Sequence, residues 1–258
     1  MAHTKENLAV LRAFLEKPAL EHSASETIAP LDGGPVDAAL RGGLRRGALH
    51  EVFAAGAGEE TAATGFALAL AARAIAKGKW LLWVRQDFSA LETGEIHGAG
   101  FAELGIDPSR VLHVRTPDAT AALRAGAEGL DCKGLGAVII EPWAEPKVFD
   151  LIASRRLTLA AQQHGVTAIV LRFNAEPEAS AAETRWRIKS ANSPPNAEDW
   201  GNPRFDAALI RNRHGNNGHW IMEWDCNNGI FQTHCERLAA AAADRPAEAP
   251  VAGLRQAG

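Results

Sequence analysis

The strongest constraint on the fold is a regular alternation of short apolar runs with longer helical segments between residues 49 and 173. The run from Ala137 to Ile140 is continuously apolar, which is typical of a strand buried on both faces of a sheet. Residues Val166 to Phe173 predict another buried strand, and a helical pattern from Val148 to His164 lies between the two. Strands that alternate with helices in this way predict right-handed βαβ units, and therefore an α/β fold with a mostly parallel central sheet flanked by helices.

The chain changes character beyond its last long apolar run. Basic and apolar side chains alternate in one segment, namely Arg185, Trp186, Arg187, Ile188 and Lys189. A period of two residues predicts a half-buried antiparallel strand. The tetrapeptide Gly215-Asn216-Asn217-Gly218 follows and predicts a hairpin turn. We therefore expect a C-terminal antiparallel meander beside the parallel sheet.

Composition excludes several classes of protein. The 258 residues are 47% hydrophobic and 22% charged, which is typical of a soluble globular chain. The N-terminus lacks the apolar core of a signal peptide, and no apolar run approaches the roughly 18 residues of a membrane span. Three scattered cysteines favour a reducing cytoplasm. Cys226, His234 and Cys235 lack the paired spacing of zinc ligands, so we expect no metal site.

We predict four segments along the chain. They are an N-terminal helix over residues 1–20, a linker over 21–42, a core over 43–236 and a disordered tail over 237–258. Leu8, Leu11 and Leu15 follow helical spacing in the first segment. This leucine stripe is a candidate surface for binding a partner or a second subunit. The alternative is a helix that folds back on its own core.

One loop stands where a phosphate-binding P-loop would lie, between a strand-like run and a long Ala/Leu helix. Its residues of interest are Ala54, Gly56, Gly58, Glu59, Glu60 and Thr61. The P-loop pattern is G-x-x-x-x-G-K-[ST], and Thr61 occupies the position of the metal-binding hydroxyl. Ala54 and Glu59 replace the two glycines, and Glu60 replaces the lysine that neutralises phosphate. The two acids also suit a helix N-terminus because of its positive dipole end, so we expect them to cap the helix.

The order of these features resembles the RecA-like core, in which a P-loop position precedes a central strand ending in an acid and a terminal antiparallel meander. Within that superfamily the chain resembles the ImuA family, which is also catalogued as SulA-like. The match spans residues 43–232 and rests on several short motifs. These are Arg45 to Glu51, Leu104 to Asp107, Arg155-Arg156, Trp186 to Ile188, Gly201 to Phe205 and the Trp-rich last hairpin.

The resemblance also locates the positions that would handle nucleotide. Glu141 replaces the usual Asp at the Walker B position. Asp87 lies near the position of the catalytic glutamate, and Asn174 lies at the position of a γ-phosphate-sensing glutamine. Together with Glu60, these changes predict a pseudo-ATPase with no catalytic residue, no nucleotide site and no cofactor. A weak ATP-binding RecA-like ATPase that receives a lysine from a neighbour in trans is the alternative.

The sequence offers candidate surfaces for binding DNA and for binding a protein partner. The two segments that would reach DNA in RecA are a short turn after Glu141 and an acidic stretch from Ala175 to Glu183. We therefore expect DNA binding to be weak or absent. The basic strand of Arg185, Arg187 and Lys189 is either a solvated face or a contact for an acidic partner. Trp220 and Trp224 are candidate partner-binding residues, and packing inside the last sheet is the alternative.

The ImuA resemblance implies an accessory or scaffold role in SOS-induced, error-prone translesion DNA synthesis. The implied partners are an ImuB-like Y-family protein, through it an error-prone C-family DNA polymerase and the sliding clamp, and RecA itself. A SulA-like inhibitor of cell division that acts on a tubulin-like protein is the rival interpretation.

Overall fold

The computed structural model describes residues 27–144, 146–193 and 201–234. The leucine stripe of Leu8, Leu11 and Leu15 and the tail over residues 237–258 lie outside the described residues, so both remain predictions. Within the described ranges, no helix combines the length and apolar character needed to cross a membrane.

The secondary structure follows the alternation seen in the sequence. The strands are β1 (Ile28–Ala29), β2 (Leu44–Arg45), β3 (Leu49–Ala54), β4 (Trp80–Gln86), β5 (Val111–Thr116), β6 (Leu135–Glu141), β7 (Thr167–Arg172), β8 (Thr184–Ser190), β9 (Arg204–Asn212), β10 (Gly218–Asp225) and β11 (Ile230–His234). The helices are α1 (Pro35–Ala39), α2 (Glu60–Ala74), α3 (Asp87–Thr93), α4 (Gly98–Glu103), α5 (Ala119–Leu130) and α6 (Leu151–His164), with a 3₁₀ turn at Pro108–Arg110.

Nine of these strands form one sheet in the order β11-β10-β9-β8-β3-β7-β6-β4-β5. The pairs from β8 to β5 are parallel, whereas β8 to β11 form an antiparallel meander. The predicted α/β class, with a mostly parallel sheet and a C-terminal meander, is confirmed. Parallel strands end at one edge of a sheet, so the loops after β3, β4, β6 and β7 lie along the same carboxyl edge.

Helices cover both faces of the sheet. On one face α2 buries eight of its residues, and its Phe66 ring lies 5.3 Å from Trp186, 5.4 Å from Phe231 and 5.5 Å from Phe205. These contacts join the meander to the parallel half of the molecule. On the other face α5 and α6 pack through small residues such as Ala122 and through Leu157.

Residues 27–42, placed in the linker by the sequence, are part of the folded unit instead. Leu31 and Val36 are fully buried, and β1 pairs antiparallel with β2. The Asp37 carboxylate accepts hydrogen bonds from the backbone N–H groups of Leu31 and Gly33, both at 2.7 Å. The polar residues that suggested a linker therefore organise a tight turn over the core.

The sequence pattern predicts one helix from about Ser89 to Leu104, but the structure divides this segment between α3 and α4. Gly94 adopts a φ of +85° at the end of α3, a conformation that favours glycine and stops the helix. A second difference concerns α6, which begins at Leu151 and not at Val148. The Asp150 carboxylate caps it by accepting from the N–H of Ala153 at 2.7 Å.

Candidate functional site

The loop between β3 and α2 lies at the position that the sequence comparison assigns to a P-loop. It spans residues 55–59, and its start is fixed to the neighbouring strand β8 because Ala55 N–H donates to the carbonyl of Ile188 at 2.9 Å. Gly58 has a φ of +88°, and Gly56 and Gly58 are exposed. Thr61 is also exposed, in the first turn of α2.

Glu59 ties the other end of this loop to the same strand. It occupies the N-cap position of α2, yet its side chain makes no capping hydrogen bond. Its carboxylate instead accepts from the backbone N–H of Ser190 at 2.6 Å. The expectation that Glu59 caps the helix is therefore wrong for its side chain. Glu60 is the first residue of α2, where its negative charge meets the positive end of the helix dipole.

Glu141 forms a buried ion pair at the carboxyl edge of the sheet. It is the last residue of β6, is fully buried, and lies directly opposite Arg85 in the parallel pairing of β4 with β6. Arg85 Nε donates to one carboxylate oxygen at 2.8 Å, and Trp83 Nε1 donates to the other at 2.9 Å. Burial raises the pKa of Glu141, while the facing Arg85 guanidinium acts in the opposite direction.

Arg85 is held by further contacts and is itself buried. Its terminal nitrogens donate to the carbonyl of Gly94 at 2.7 Å, to the carbonyl of Ser89 at 3.4 Å and to the hydroxyl of Thr93. Sequence reasoning missed Arg85. The available indication was a charged residue directly after the apolar run Trp80 to Val84, at a point where the strand still continues.

The other two positions compared with RecA have structural surroundings of their own. Asp87 opens α3, and its carboxylate accepts from Arg115 Nε at 2.8 Å on the protein surface. Asn174 follows β7 and is exposed, with a φ of +45°. Asp87 is thus engaged with an arginine of the edge strand β5, and Asn174 forms a left-handed turn.

The basic strand does not present a uniform charged face. Arg185 is only 7% exposed, and its guanidinium donates to Glu51 at 2.6 Å and to the hydroxyl of Ser180 at 2.9 Å. Arg187 pairs with Glu176 at 2.6 Å on the surface. A solvated basic stripe is therefore the wrong description for Arg185, and acids neutralise two of the three positions.

The tryptophans divide between core and surface. Trp224 is fully buried, with its ring 4.9 Å from that of Phe231, so the core-packing alternative applies and no partner reaches it in this fold. Trp186 is also fully buried, and its ring lies 6.3 Å from that of Trp220. Trp220 is half-buried and is the member of the candidate pair that keeps an accessible surface.

A cavity of about 300 Å³ lies beside the carboxyl edge of the parallel strands, between α2 and the segment that contains α4. Its wall includes Thr64 of α2, Trp83 and Arg85 of β4, and Phe101 of α4. Arg85 is the only lysine or arginine among its described lining residues, and that guanidinium is committed to Glu141. The described lining residues therefore offer no free lysine or arginine to a phosphate. Among the described residues, no group of three His, Cys, Asp or Glu side chains is arranged to hold a metal ion.

Comparison with known proteins identifies a relative that matches most of the chain. No protein-family model matches the chain. Protein ImuA of Caulobacter vibrioides, in two strains of that bacterium, is 32% identical to it over 229 residues. The match covers 83% of this chain and 89% of the relative.

Proposed function

The chain belongs to the ImuA family, and from this premise we propose that it is a protein-binding component of the bacterial ImuA–ImuB mutagenesis cassette that neither binds nor hydrolyses ATP. It acts in the cytoplasm as a RecA-like pseudo-ATPase. The order of its elements supports the RecA-like interpretation: a P-loop-like connector after β3, a buried acid at the end of β6, and a terminal antiparallel meander.

The buried pair of Glu141 with Arg85 is the observation that carries this proposal. Magnesium in a nucleotide site takes oxygen ligands in octahedral geometry and usually keeps several bound waters. Glu141 is fully buried, and both of its oxygens already accept hydrogen bonds, one from Arg85 and one from Trp83. Its carboxylate is therefore a structural anion, paired with a protein cation in place of a metal.

The loop after β3 supports the same conclusion through its charge. A unit charge at about 4 Å contributes on the order of 4 kcal/mol at an effective dielectric constant of about 20. Lysine at position 60 would make this term attractive for a phosphate, and Glu60 makes it repulsive. Glu59 adds a second negative charge while it holds Ser190.

Calorimetric titration with magnesium ATP tests the absence of nucleotide binding. We expect no saturable heat from the natural chain. Glu60→Lys should behave in the same way, because Glu141 stays paired with Arg85 and Glu59 stays bonded to Ser190. A nucleotide-binding RecA protein is the positive control. Micromolar binding by the natural chain would refute the pseudo-ATPase proposal and favour the ATPase alternative, including one completed by a lysine in trans.

The proposed direct partner is an ImuB-like Y-family protein. An error-prone C-family polymerase and the sliding clamp join through it, and RecA is a further proposed contact. Purification of the tagged chain from DNA-damaged cells, followed by mass spectrometry, tests this set. Recovery of the ImuB-like protein is the expected result. Recovery of the tubulin-like division protein without it would support the SulA-like rival instead.

A further inference from the structure

Helix α6 exposes apolar residues on the side opposite its core contacts. Its inner side packs through Leu157 and Ala161, which are buried. On its outer side Ile152 is 59% exposed and Leu159 is 65% exposed. These two residues are seven positions apart, which is about 10 Å along a helix and nearly the same angular position. A helix that packs on one side only has no need of large apolar residues on the other.

Two arginines flank this apolar pair. Arg155 and Arg156 lie between Ile152 and Leu159 along the helix and are both exposed. At 100° per residue they fall on opposite sides of the line that joins the two apolar residues. Neither has an ion-pair partner among the residues that the structure describes, and α6 contains no acidic residue. We name this surface the α6 outer face, defined by Ile152, Arg155, Arg156 and Leu159.

We infer that the α6 outer face is the docking site for an acidic amphipathic helix of the partner protein, an inference that rests on the protein-binding function proposed above. The apolar side of such a helix covers Ile152 and Leu159, and its flanking carboxylates pair with the two guanidinium groups. Arginine suits this role because its planar fork binds carboxylates in a bidentate manner, and it is enriched in interfaces.

Charge argues against three other occupants of this face, namely a second copy of the chain, its own residues 6–17 and DNA. A second copy packed through the same face would bring four guanidinium groups together with no acid from either α6. Residues 6–17 of this chain, which contain the leucine stripe, carry two acids and two bases, so they offer no net complement to the arginines. DNA would match the arginines, yet it would leave Ile152 and Leu159 in contact with phosphate and water.

Two double variants test the docking site against the purified ImuB-like protein. Arg155→Glu with Arg156→Glu removes the charge complement, and Ile152→Asp with Leu159→Asp removes the apolar contact. Each double variant should raise the dissociation constant at least about tenfold, as loss of interface anchor residues does. Arg124→Glu on α5 and Leu91→Asp on α3 are matched controls at exposed positions elsewhere, and both should bind as the natural chain does.

The outcomes separate this inference from the function on which it rests. If the natural chain binds the ImuB-like protein and both α6 double variants bind it equally well, the docking site is wrong and the proposed function stands. If the natural chain does not bind the ImuB-like protein, both the docking site and the proposed function are wrong. Added salt should weaken binding by the natural chain more than by the Arg155→Glu, Arg156→Glu variant.

Three further measurements on the same variants address the other occupants. A lower urea midpoint for Ile152→Asp, Leu159→Asp would show that the face is packed within the chain and would overturn the inference. A change of mass in solution would assign the face to a second copy, with the same consequence. Loss of binding to a labelled DNA duplex, with binding to the ImuB-like protein intact, would assign it to nucleic acid and refute the docking of a helix.

Discussion

Replacing Arg85 with methionine is the sharpest test of the buried pair at the carboxyl edge. The substitution keeps an unbranched apolar stem and removes the guanidinium that lies 2.8 Å from Glu141. Glu141 is then a fully buried carboxylate that keeps the hydrogen bond from the Trp83 indole N–H and has lost its cation. Breaking a buried pair by removing one partner costs about 3–5 kcal/mol. We expect Arg85→Met to lower the free energy of unfolding by an amount in that range.

This loss should depend on pH, and the sign follows from the pKa of Glu141. Burial already raises that pKa above its ordinary value of 4.5, and Arg85 is the largest influence that opposes the rise. Without Arg85 the pKa increases further, so the folded variant binds a proton that the unfolded chain has released. Its stability should therefore fall as pH rises between the unfolded and the folded pKa, by about 1.4 kcal/mol per pH unit.

The assay is urea unfolding of four proteins at several pH values: the natural chain, Arg85→Met, Glu141→Gln and the double variant. Glu141→Gln keeps an acceptor for Trp83 and should cost about 1–3 kcal/mol. The double variant has neither buried charge, so it should lose less than the sum of the single losses and should lack the additional pH slope. Losses that add to within about 0.5 kcal/mol would refute the coupling.

Magnesium provides an independent check on the same four proteins. A metal that binds only the folded state raises its stability by RT ln(1 + [L]/Kd). We expect no such increase for the natural chain. A magnesium-dependent gain that disappears in Glu141→Gln would show that the carboxylate is a metal ligand, and the reasoning from its ion pair would be wrong.

Two further predictions concern stability. His50 is buried, and burial lowers its pKa to about 4. Its contribution to stability is therefore complete above the unfolded pKa near 6.5 and is lost as pH falls towards 4, by about 3 kcal/mol. Urea unfolding of His50→Gln should show a shallower dependence on acid pH than the natural chain. Trp224→Ala should cost about 3–5 kcal/mol of unfolding free energy because the side chain is fully buried, whereas Trp220→Ala at a half-buried position should cost clearly less, and equal losses would contradict the division of the two tryptophans between core and surface.

His50 also illustrates how a buried polar contact fixes a protonation state. Its Nε2 lies 2.8 Å from the carbonyl of Arg45, which only accepts, so the neutral ring carries its proton on Nε2. Nδ1 then accepts from the Thr184 hydroxyl at 2.7 Å, and that hydroxyl oxygen accepts from the Trp186 indole at 3.1 Å. Protonation of Nδ1 would place a positive charge on a fully buried ring, and this loss of hydration is the physical basis of the expected acid lability.

The fold could be predicted from sequence because local patterns encode it. The run Ala137 to Ile140 has no polar residue to expose, so a strand buried on both faces was the consistent solution, and the structure places it within β6. The hairpin at residues 215–218 joins β9 to β10 in the same way. The break at Gly94 was harder, since a single glycine is tolerated inside many helices and ends one only in a suitable tertiary setting.

The site was less predictable because it depends on pairing between distant segments. Arg85 and Glu141 are 56 positions apart and meet through the register of β4 with β6, which neither segment specifies alone. Arg185 was misjudged for a related reason, since a charged residue at a period-two position suggests exposure unless its buried partner, here Glu51, is known. The segment with Leu31 and Val36 is too short to show a periodicity.

The β3–α2 loop is tied to β8 by two hydrogen bonds, and these contacts bear on how many changes a phosphate site at this edge would need. Ala55 and Glu59 hold Ile188 and Ser190, and Arg85 holds Glu141 at the same edge of the sheet. Phosphate binding at this edge would need lysine at position 60, glycine at position 59 and a Glu141 carboxylate released from Arg85. Taken alone, the second change gives up a hydrogen bond and the third an ion pair, and neither creates a site. Under the pseudo-ATPase function proposed above, none of the three changes alone would create a phosphate site, and two of them would also remove a stabilising contact.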